Sequence, residues 1–380
     1  MKQSREEDRV SKKQTNPVGG EYDIPLLFTV LFLVGIGIVM VYSASSAIAL
    51  KAEMPDYFFL KKQAMCGMMG LVVLVLFSYI PYHIYRTMAY PILALAFALL
   101  AAILATHMGH TVNGAARWLR FGGLSFQPSE FARFALVVYL AYSLTRKQEQ
   151  IRVFSIGFLP HVMVLGALSG LIYLQPDFGS ILILCAVTWL MLYVAGVRIL
   201  HLLSGVVFLL PVAYFLTVTE PYRLKRYLAF LDPWQYPSNE GYQIIHSLMA
   251  FGSGGILGAG IGKGYQKLFY LPYPHTDFIF SVIGEELGLI GIIGILILYC
   301  IILWRGVLIA RRANDCFGAM LAVGLTTSIC FQVCTNMAVT LGLLPTKGLT
   351  LPFISFGGTS LLMSMAMVGV LMNIGKPRIG

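Results

Sequence analysis

The sequence predicts an all-α polytopic membrane protein of about ten transmembrane helices, with one large extracytoplasmic loop between the seventh and eighth helices. The first observation is composition: 58% of the 380 residues are hydrophobic and 12% are charged, about half the charged share of a soluble domain. The second is that apolar residues come in runs of about 20, the length that a helix needs to cross roughly 30 Å of hydrocarbon. The third is a difference in charge between alternate loops.

The apolar runs place the predicted spans along the chain. They lie at residues 24–46, 64–81, 88–107, 129–145, 154–174, 178–196, 199–217, 278–303, 316–342 and 350–373. No stretch rich in Pro, Ser or charge divides the chain, so residues 23–375 are predicted to form one transmembrane domain. Residues 1–22 are hydrophilic and are predicted to form a disordered cytoplasmic tail, and residues 376–380 form a second cytoplasmic tail.

The charges of the loops orient these spans. With the N-terminus in the cytoplasm, the inside segments hold 15 Lys and Arg residues: Lys2, Arg5, Arg9, Lys12, Lys13, Arg86, Arg146, Lys147, Arg152, Arg198, Arg305, Arg311, Arg312, Lys376 and Arg378. The short outside loops hold six: Lys51, Lys61, Lys62, Arg117, Arg120 and Lys347. The long loop is left out of this count because long loops translocate regardless of charge. Both termini are therefore predicted to be cytoplasmic, and the net charge of +10 is explained without binding to nucleic acid.

Two outside connections are too long to be simple turns. One runs from Thr106 to Gln127 and the other from Val218 to Asp277. Long connections inside a compact domain are usually functional or disordered. The second is rich in aromatic and aliphatic residues, so we expect one or two short helices at the membrane interface there. We expect the chemistry of the protein in this loop, which ends at Asp277.

A glycine-dense stretch at residues 252–264 lies within the same loop. It resembles a phosphate-binding loop but fails the Walker spacing, which needs Gly in place of Leu257 and Ser or Thr in place of Gly264. Two interpretations stay open. The stretch is either a flexible or tightly packed turn, or a backbone that approaches a ligand closely.

Carboxylates near the start of the eighth span are the main catalytic candidates. Asp277 lies at the outer end of this span, where a carboxylate benefits from the helix N-terminus. Sequence physics alone leaves it divided between a helix cap and a catalytic group. Glu285 and Glu286 lie deeper, and charges at membrane depth are functional candidates by default. A structural hydrogen bond or ion pair between helices is the favoured interpretation of both.

Basic residues are expected on the same side of the membrane as Asp277. Arg117 and Lys347 lie in short outer loops, and Arg223 and Lys263 lie in the large loop. Cations beside one carboxylate suit an anionic ligand that bears phosphate and a hydroxyl group to be deprotonated. These four residues are therefore predicted to bind substrate, although a solvated loop explains several of them.

Four further polar residues have weaker claims. Arg133 falls inside the fourth span and demands a partner, and Glu130, one turn before it, is the available one. Asp177 follows Gln175-Pro176 and is predicted to cap the sixth span, with contact to the ligand as the lesser alternative. His275 is a second-rank candidate for acid–base work or substrate contact.

The sequence offers no strong metal site. Cys330 and Cys334 are one helical turn apart, but neither His nor a carboxylate accompanies them at ligand spacing. Helix packing is therefore favoured over metal binding for this pair.

Six motifs in a fixed order resemble the SEDS family (shape, elongation, division and sporulation). The resemblance covers about residues 20–375. The six motifs are Asn113-Gly-Ala-Ala-Arg117-Trp118, Gln127-Pro-Ser-Glu130, Gln175-Pro-Asp-Phe-Gly179, Phe230-Leu-Asp-Pro-Trp234, His275-Thr-Asp-Phe-Ile-Phe280 with Gly284-Glu-Glu-Leu-Gly288, and Pro352-Phe-Ile-Ser-Phe-Gly-Gly358. Each motif is weak alone, but six in order are specific. The segments at Ile283–Glu285 and Leu344–Pro352 resemble the cell-division branch more than the elongation branch.

The resemblance implies a ten-span peptidoglycan glycosyltransferase that polymerises lipid II, a disaccharide-pentapeptide on undecaprenyl pyrophosphate, at the outer face of the inner membrane. The family's essential aspartate corresponds to Asp277, and its important basic residues correspond to Arg117 and Arg133. The resemblance also implies Mg²⁺ or Mn²⁺ as a candidate aid, no organic cofactor, and a class B penicillin-binding protein and divisome proteins as partners at the septum. Division members often carry an acidic residue where this chain has Phe269, so Asp277 stands largely alone.

Two other functions compete with this one. A transporter that flips lipid II predicts ionisable residues along a central path and internal repeats. The chain shows deep charges only at Glu285, Glu286 and Arg133, and no obvious inverted repeat. A non-catalytic scaffold that recruits a transpeptidase predicts that Asp277 can be replaced without loss of function.

Overall fold

The computed structural model describes residues 23–105, 109–112, 115–121, 124–219, 221–238, 241–268 and 270–376. Helices dominate this part of the chain: α1 Ile24–Lys51, α2 Phe58–Tyr79, α3 His83–Thr87, α4 Ala89–Ala105, α5 Pro128–Arg146, α6 Leu159–Tyr173, α7 Phe178–Ala195, α8 Ile199–Val218, α9 Pro221–Leu231, α10 Tyr242–Gly254, α11 Ile279–Arg312, α12 Cys316–Thr340 and α13 Gly358–Ile374. One π-helical turn, Phe154–Phe158, leads into α6, and short 3-10 turns lie at Gln148–Gln150 and Pro233–Gln235. The predicted N-terminal tail lies outside the described residues.

Each of the ten predicted spans coincides with a helix, so the predicted fold class is confirmed. Six helices of the described residues are long and apolar enough to cross a membrane: Ile24–Lys51, Phe58–Tyr79, Phe154–Tyr173, Phe178–Ala195, Ile279–Arg312 and Cys316–Thr340. The segments Ala89–Ala105, Ile199–Pro211 and Gly358–Ile374 are shorter apolar helices. The remaining predicted span, α5, carries a buried ion pair, and it packs against α4, α7, α12 and α13 at the centre of the bundle.

Two of the predicted boundaries were wrong for identifiable reasons. The helix of the eighth predicted span, α11, continues to Arg312 and not only to residue 303. Arg305 is tolerated within this helix because Asp23, at the start of α1, neutralises it, with Arg305 Nη2 2.7 Å from Asp23 Oδ2. The helix of the tenth predicted span, α13, begins at Gly358 and not at residue 350. The preceding segment forms a turn in which the Ser355 hydroxyl donates to the Thr276 carbonyl at 2.7 Å.

The two long connections both contain secondary structure. The first holds a three-stranded antiparallel sheet of β1 Gly109–Val112, β2 Ala115–Phe121 and β3 Leu124–Phe126, in the order β1-β2-β3. Leu119 pairs with Phe126 between β2 and β3. These strands were not predicted from the sequence. The second connection holds α9 and α10, which confirms the prediction of short helices there.

Helix α11 is broken at Gly288, where φ is 63° and ψ is −162°. An unbroken helix would join the Glu285 carbonyl to the Leu289 N–H and the Glu286 carbonyl to the Ile290 N–H. Instead, these four groups bond to the glycine-rich loop after α10. Its Ala259 and Gly260 N–H groups donate to the Glu285 and Glu286 carbonyls at 2.9 and 3.0 Å, and its Gly255 and Ile256 carbonyls accept from Leu289 and Ile290 at 3.0 and 3.3 Å.

The glycines of this loop serve close packing against α11. A Cβ on Gly258 would lie 2.2 Å from the Glu286 carbonyl oxygen, and one on Gly254 would lie 2.0 Å from the Gly284 carbonyl oxygen. Of the two interpretations of the glycine-dense stretch, the structure therefore supports the tightly packed turn. Broken helical backbone is tolerated at membrane depth only where protein or water satisfies it, and here the loop does so.

Candidate active site

Asp277 lies just before α11, beside the segment that joins α12 to α13. The N-cap of α11 is Phe278, so the alternative that Asp277 caps this helix is wrong. The Asp277 carbonyl accepts a hydrogen bond from Asn336 Nδ2 at 2.9 Å. Its carboxylate borders Gly348, where an added Cβ would lie 3.1 Å from Asp277 Oδ2. The carboxylate is thus free of the helix terminus and faces the neighbouring loop.

The electrostatic surroundings of Asp277 shift the pKa of its carboxyl group. Burial is the main cause that raises its pKa to about 6, and the nearby Asp177 acts in the same direction. Arg117 and Arg226 oppose this by lowering the pKa. A general base works best when its pKa lies near the operating pH. At neutral pH Asp277 is therefore ionised yet basic enough to accept a proton.

Three cations reach this region from three different segments. Arg117, on β2, donates from Nε to the Gln175 carbonyl at 3.1 Å and from Nη2 to the Pro176 carbonyl. Arg226, on α9, donates from Nη1 to the Thr346 carbonyl at 3.2 Å. Lys347 follows Thr346 directly, and burial is the main cause that lowers the pKa of its ammonium group. Partly desolvated cations beside a carboxylate suit a phosphate-bearing ligand.

Asp177 is the N-cap of α7, as predicted. Its carboxylate accepts from the Ser180 N–H at 3.3 Å and from the hydroxyls of Ser180 and Ser129 at 2.7 and 3.1 Å. Gln127 Nε2 adds a bond at 3.3 Å. Because these bonds occupy its oxygens, Asp177 acts on the site through its negative charge.

Arg133 and Glu130 form a buried ion pair inside the bundle, with Arg133 Nη2 2.6 Å from Glu130 Oε2. Arg133 Nη1 also donates to Gln332 Oε1 on α12 at 2.5 Å. Gln332 in turn donates to the Thr350 carbonyl at 3.0 Å and to the Ser360 hydroxyl at 3.2 Å. The structure therefore gives Arg133 a linking role between α5 and α12, and its contact with substrate stays a prediction.

Glu285 and Glu286 are both structural, as favoured. Glu285 accepts the backbone N–H groups of Tyr265 and Gln266 at 2.7 and 3.1 Å. Glu286 accepts the Ser43 hydroxyl of α1 at 2.7 Å and pairs with Lys267, whose Nζ lies 2.5 Å from Oε1. These contacts hold the loop after α10 to the broken part of α11.

His275 packs between aromatic rings two residues before Asp277. Its ring centroid lies 4.8 Å from that of Phe59 and 5.7 Å from that of Phe356. Burial lowers the pKa of its imidazole to about 4. His275 is therefore neutral at physiological pH and cannot supply a cation to a phosphate group.

The substrate contacts predicted for Lys263 and Arg223 stay predictions. Lys263 is exposed in the glycine-rich loop, beside the break in α11. The side chain of Arg223 lies outside the described part of the chain, as does Phe269.

The structure adds Arg226, Gly348 and Asn336 to the site. Arg226 is one of several basic residues of the large loop, and nothing in the loop sequence separates it from its basic neighbours. Asn336 carried a usable signal. It lies four residues after Gln332 in an apolar span, so both amides face one side of a helix where polar groups are costly.

The described side chains around Asp277 do not form a complete set of protein ligands for a metal ion. Over the residues that the structure describes, no group of three His, Cys, Asp or Glu side chains could hold one. Near Asp277 the second carboxylate, Asp177, already accepts hydrogen bonds at both oxygens. The expected Mg²⁺ or Mn²⁺ stays a prediction, and no step below passes through it.

The fold and the site together define a polytopic membrane protein with a buried carboxylate and several cations at one end of its helix bundle. A family model described as Cell cycle protein, which groups FtsW, RodA and SpoVE, matches residues 24–378. The chain belongs to this family, which confirms the resemblance drawn from the six motifs.

Named relatives match over nearly the whole chain. A Trichlorobacter lovleyi protein named probable peptidoglycan glycosyltransferase FtsW is 48% identical over 354 residues, 93% of each chain. Stage V sporulation protein E of Bacillus subtilis is 39% identical over 367 residues, 97% of this chain and 99% of that protein. The chain is thus similar to proteins of both names along its full transmembrane domain.

Solved structures share the fold. A chain from work on the structural coordination of polymerization and crosslinking by a peptidoglycan synthase complex is 31% identical with a TM-score of 0.77, and the match covers 93% of this chain and 97% of that one. The rod shape determining protein RodA of Thermus thermophilus is 29% identical with a TM-score of 0.70, over 93% of this chain and 96% of that one.

Proposed function

We propose that this protein is a peptidoglycan glycosyltransferase that polymerises lipid II into glycan strands, with Asp277 as the general base. The observation that carries the proposal is the placement of Asp277: a carboxyl group with a pKa of about 6 among Arg117, Arg226 and Asp177. The names of the relatives support the reaction class. The cations support a substrate that bears pyrophosphate.

The chemistry requires one proton transfer and one displacement. The 4-hydroxyl of the acceptor sugar donates its proton to Asp277 while its oxygen attacks the anomeric carbon of the donor. The bond from that carbon to the pyrophosphate oxygen breaks, and the electron pair leaves with the pyrophosphate. An α-linked donor thereby becomes a β-linked polymer with inversion. A positioned base contributes about 10²–10⁴-fold to such a step.

The cations stabilise the charge that develops on the leaving pyrophosphate. Arg117 and Arg226 are anchored to backbone carbonyls, so their charges are held in place before the reaction starts. Preorganised charges of this kind need no rearrangement in the transition state. Pyrophosphate is a stable leaving group and needs little help from an acid, which agrees with a neutral His275.

The setting of this activity is also proposed. The relatives named FtsW support the cell-division branch over an elongation role, and hence action at the division septum with divisome proteins. The solved synthase complex supports a class B penicillin-binding protein as partner. The charge asymmetry of the loops supports an inner-membrane protein with cytoplasmic termini and Asp277 at the outer face. Lipid would contact the apolar surfaces of the helices.

The rival transporter gains little support from the broken helix α11. Discontinuous helices in transporters expose unwound backbone to a substrate or ion path. Here the freed groups of Glu285, Glu286, Leu289 and Ile290 are bonded to the glycine-rich loop. Glu285 and Glu286 likewise have partners within the part of the chain that the structure describes, so this break lends no support to a transport path.

The test is polymerisation of lipid II by the purified chain in liposomes, with and without its transpeptidase partner, followed by gel separation of the glycan. Asp277→Asn keeps the side-chain size and is expected to reduce polymer by about 10²-fold or more. Asp56→Asn is the matched control, since Asp56 has the same predicted sidedness and bonds to the Tyr42 hydroxyl at 3.1 Å. Equal polymer from Asp277→Asn and the parent would show that the base is assigned wrongly. Translocation of lipid II without polymer would favour the transporter.

A further inference from the structure

Asn336 is a buried residue of α12 that holds two backbone segments at once. Its side chain is 1% exposed. Nδ2 donates to the Asp277 carbonyl at 2.9 Å and to the Leu349 carbonyl at 2.6 Å. A single carboxamide therefore bridges the residue that carries the proposed base and the loop that faces it.

The loop end of this bridge is a tight turn. The Leu349 N–H donates to the Lys347 carbonyl at 3.0 Å, an i to i+2 bond that defines a γ-turn centred on Gly348. Gly348 is the residue whose added Cβ would lie 3.1 Å from Asp277 Oδ2. By holding the Leu349 carbonyl, Asn336 fixes where the turn lies relative to the carboxylate.

The orientation of the Asn336 amide is set by its partners. Both contacts are carbonyl oxygens, which only the NH₂ end can satisfy. The Oδ1 end is buried and has no hydrogen-bond partner within the described residues. An unpaired buried acceptor costs stability. Asn336 therefore holds two backbone segments through its NH₂ group, although its Oδ1 atom is left unpaired within the described residues.

We propose that Asn336 is a positioning residue for the glycosyl transfer, because it clamps the Asp277 peptide to the Lys347–Leu349 turn and so fixes the base against the substrate. This rests on the proposed function. Among the described residues, the Asn336 side chain hydrogen-bonds to backbone carbonyls alone, and it takes no part in the chemical step. Its loss should therefore lower kcat far more than it changes the KM for lipid II, by about 10²-fold for a displacement on the order of 1 Å.

The clamp also has a consequence for the pH profile. The charged and titratable groups around Asp277 are Arg117 from β2, Arg226 from α9, Asp177 from the start of α7 and Lys347 from the turn, with His275 on the same segment. Without the clamp the turn can separate from the carboxylate and admit water. Because burial is the largest cause of the raised pKa, the acid limb of kcat should then move to lower pH.

The experiment compares Asn336→Ala with Thr335→Val in the liposome assay across a pH series. Thr335 is the adjacent buried residue, and its hydroxyl bonds only to the Phe331 carbonyl of its own helix, at 2.7 Å. Thr335→Val is expected to match the parent. Asn336→Ala is expected to lose kcat by about 10²-fold and to show an acid limb below that of the parent. Asn336→Gln keeps the amide one methylene further out and should recover part of the lost rate.

The outcomes separate this inference from the proposed function. A folded Asn336→Ala protein with the kcat and acid limb of the control overturns the inference, and so does a lower kcat with an unmoved acid limb. If Asn336→Ala does not fold, the similarly sized Asn336→Leu, which also lacks the NH₂ donor, gives the same comparison with the same two criteria. Failure of the parent to polymerise, or full activity of Asp277→Asn, contradicts the proposed function instead.

Discussion

At Asp277 two opposing effects act on one carboxyl group. Burial disfavours the charged form, while Arg117 and Arg226 favour it. Burial has the larger effect, and the pKa of Asp277 therefore rises to about 6. A solvated carboxylate would be too weak a base, and one fully paired with arginine would be weaker still. The arginines instead bond to backbone carbonyls of the Gln175–Pro176 turn and of Thr346. Their positive charge stays near Asp277 without lowering its pKa so far that the carboxylate can no longer accept a proton.

This balance predicts that Asp277 lowers the stability of the protein at neutral pH. Because its pKa is higher in the folded state, the folded state binds the proton more tightly. The stabilising effect of this is fully present below the unfolded value of 3.8 and is lost as the pH rises through about 6. Asp277→Asn should therefore raise the melting temperature at pH 7 by about 2 °C or more.

Thermal unfolding in detergent at several pH values measures this effect. The gain from Asp277→Asn should shrink as the pH falls from 6 towards 3.8, and Asp56→Asn should show no such gain. A variant less stable than the parent at pH 7 would mean that the cations, and not burial, dominate the site.

Among the elements, α5 and α12 are joined through Arg133, which pairs with Glu130 of its own helix and donates to Gln332 of α12. Glu130 and Arg133 are both nearly inaccessible to solvent. Removing one partner of a buried ion pair leaves an uncompensated charge and costs about 3–5 kcal/mol, while replacing both partners is often neutral. Arg133→Met should therefore unfold at a markedly lower temperature. The double variant Glu130→Gln with Arg133→Met should recover most of the loss.

The same two variants separate the predicted substrate contact of Arg133 from its linking role. If polymerisation returns with stability in the double variant, Arg133 serves structure alone. If the double variant is stable but its KM for lipid II is raised, the substrate contact is supported. Equal stability of the single and double variants would contradict the ion-pair account itself.

The break in α11 makes a second prediction about an element. Gly258→Ala would place a Cβ 2.2 Å from the Glu286 carbonyl oxygen, at a φ of +80°. Gly262→Ala shares the strained backbone, at a φ of +84°, but meets nothing within 4 Å. The control should cost about 1 kcal/mol, and Gly258→Ala should cost at least about 2 kcal/mol more because backbone must move. Equal melting temperatures would show that the loop does not pack against α11 as described.

Sequence reasoning succeeded for the elements where length and hydropathy decide the outcome. The ten spans follow from apolar runs that have no alternative in a membrane. It failed where the outcome depends on backbone detail. Glycine is common in transmembrane helices, so Gly288 gave no sign of a break. The strands at residues 109–126 are short, and bonds to distant parts of the chain help to hold them, such as the one from the Thr359 hydroxyl to the Ser125 carbonyl at 2.8 Å.

The site was predictable to a similar extent. Asp277, Arg117 and Lys347 were selected because charges are rare in this chain and these lie at one predicted side. Arg226 could not be distinguished from its basic neighbours, since only the turn of α9 aims it at Thr346. Lys267, another basic residue of the large loop, instead neutralises Glu286. Charge type is readable from sequence, but the pairing of charges is a property of the fold.

For the whole molecule, the two ends of the helix bundle differ in the contacts that hold their helices together. The end opposite Asp277 is tied by Asp23 to Arg305 and by Asp315, which caps α12 and accepts the Tyr82 hydroxyl at 2.8 Å. The Asp277 end carries the sheet, α9, α10 and the cations Arg117, Arg226 and Lys347. The sidedness of Asp277 therefore decides which pool of substrate it meets.

The predicted orientation can be measured with single cysteines and a membrane-impermeant maleimide. Ser238→Cys lies exposed in the loop between α9 and α10, and Glu149→Cys lies exposed between α5 and α6, on the predicted cytoplasmic side. The parent for both carries Cys316→Ser, because Cys316 is exposed at that same side. Ser238→Cys should be labelled in intact spheroplasts, and Glu149→Cys only after permeabilisation. The reverse pattern would put Asp277 in the cytoplasm, where no glycan strand is assembled into the wall. The glycosyltransferase proposal would then fail at the scale of the whole molecule, even with the geometry of the site intact.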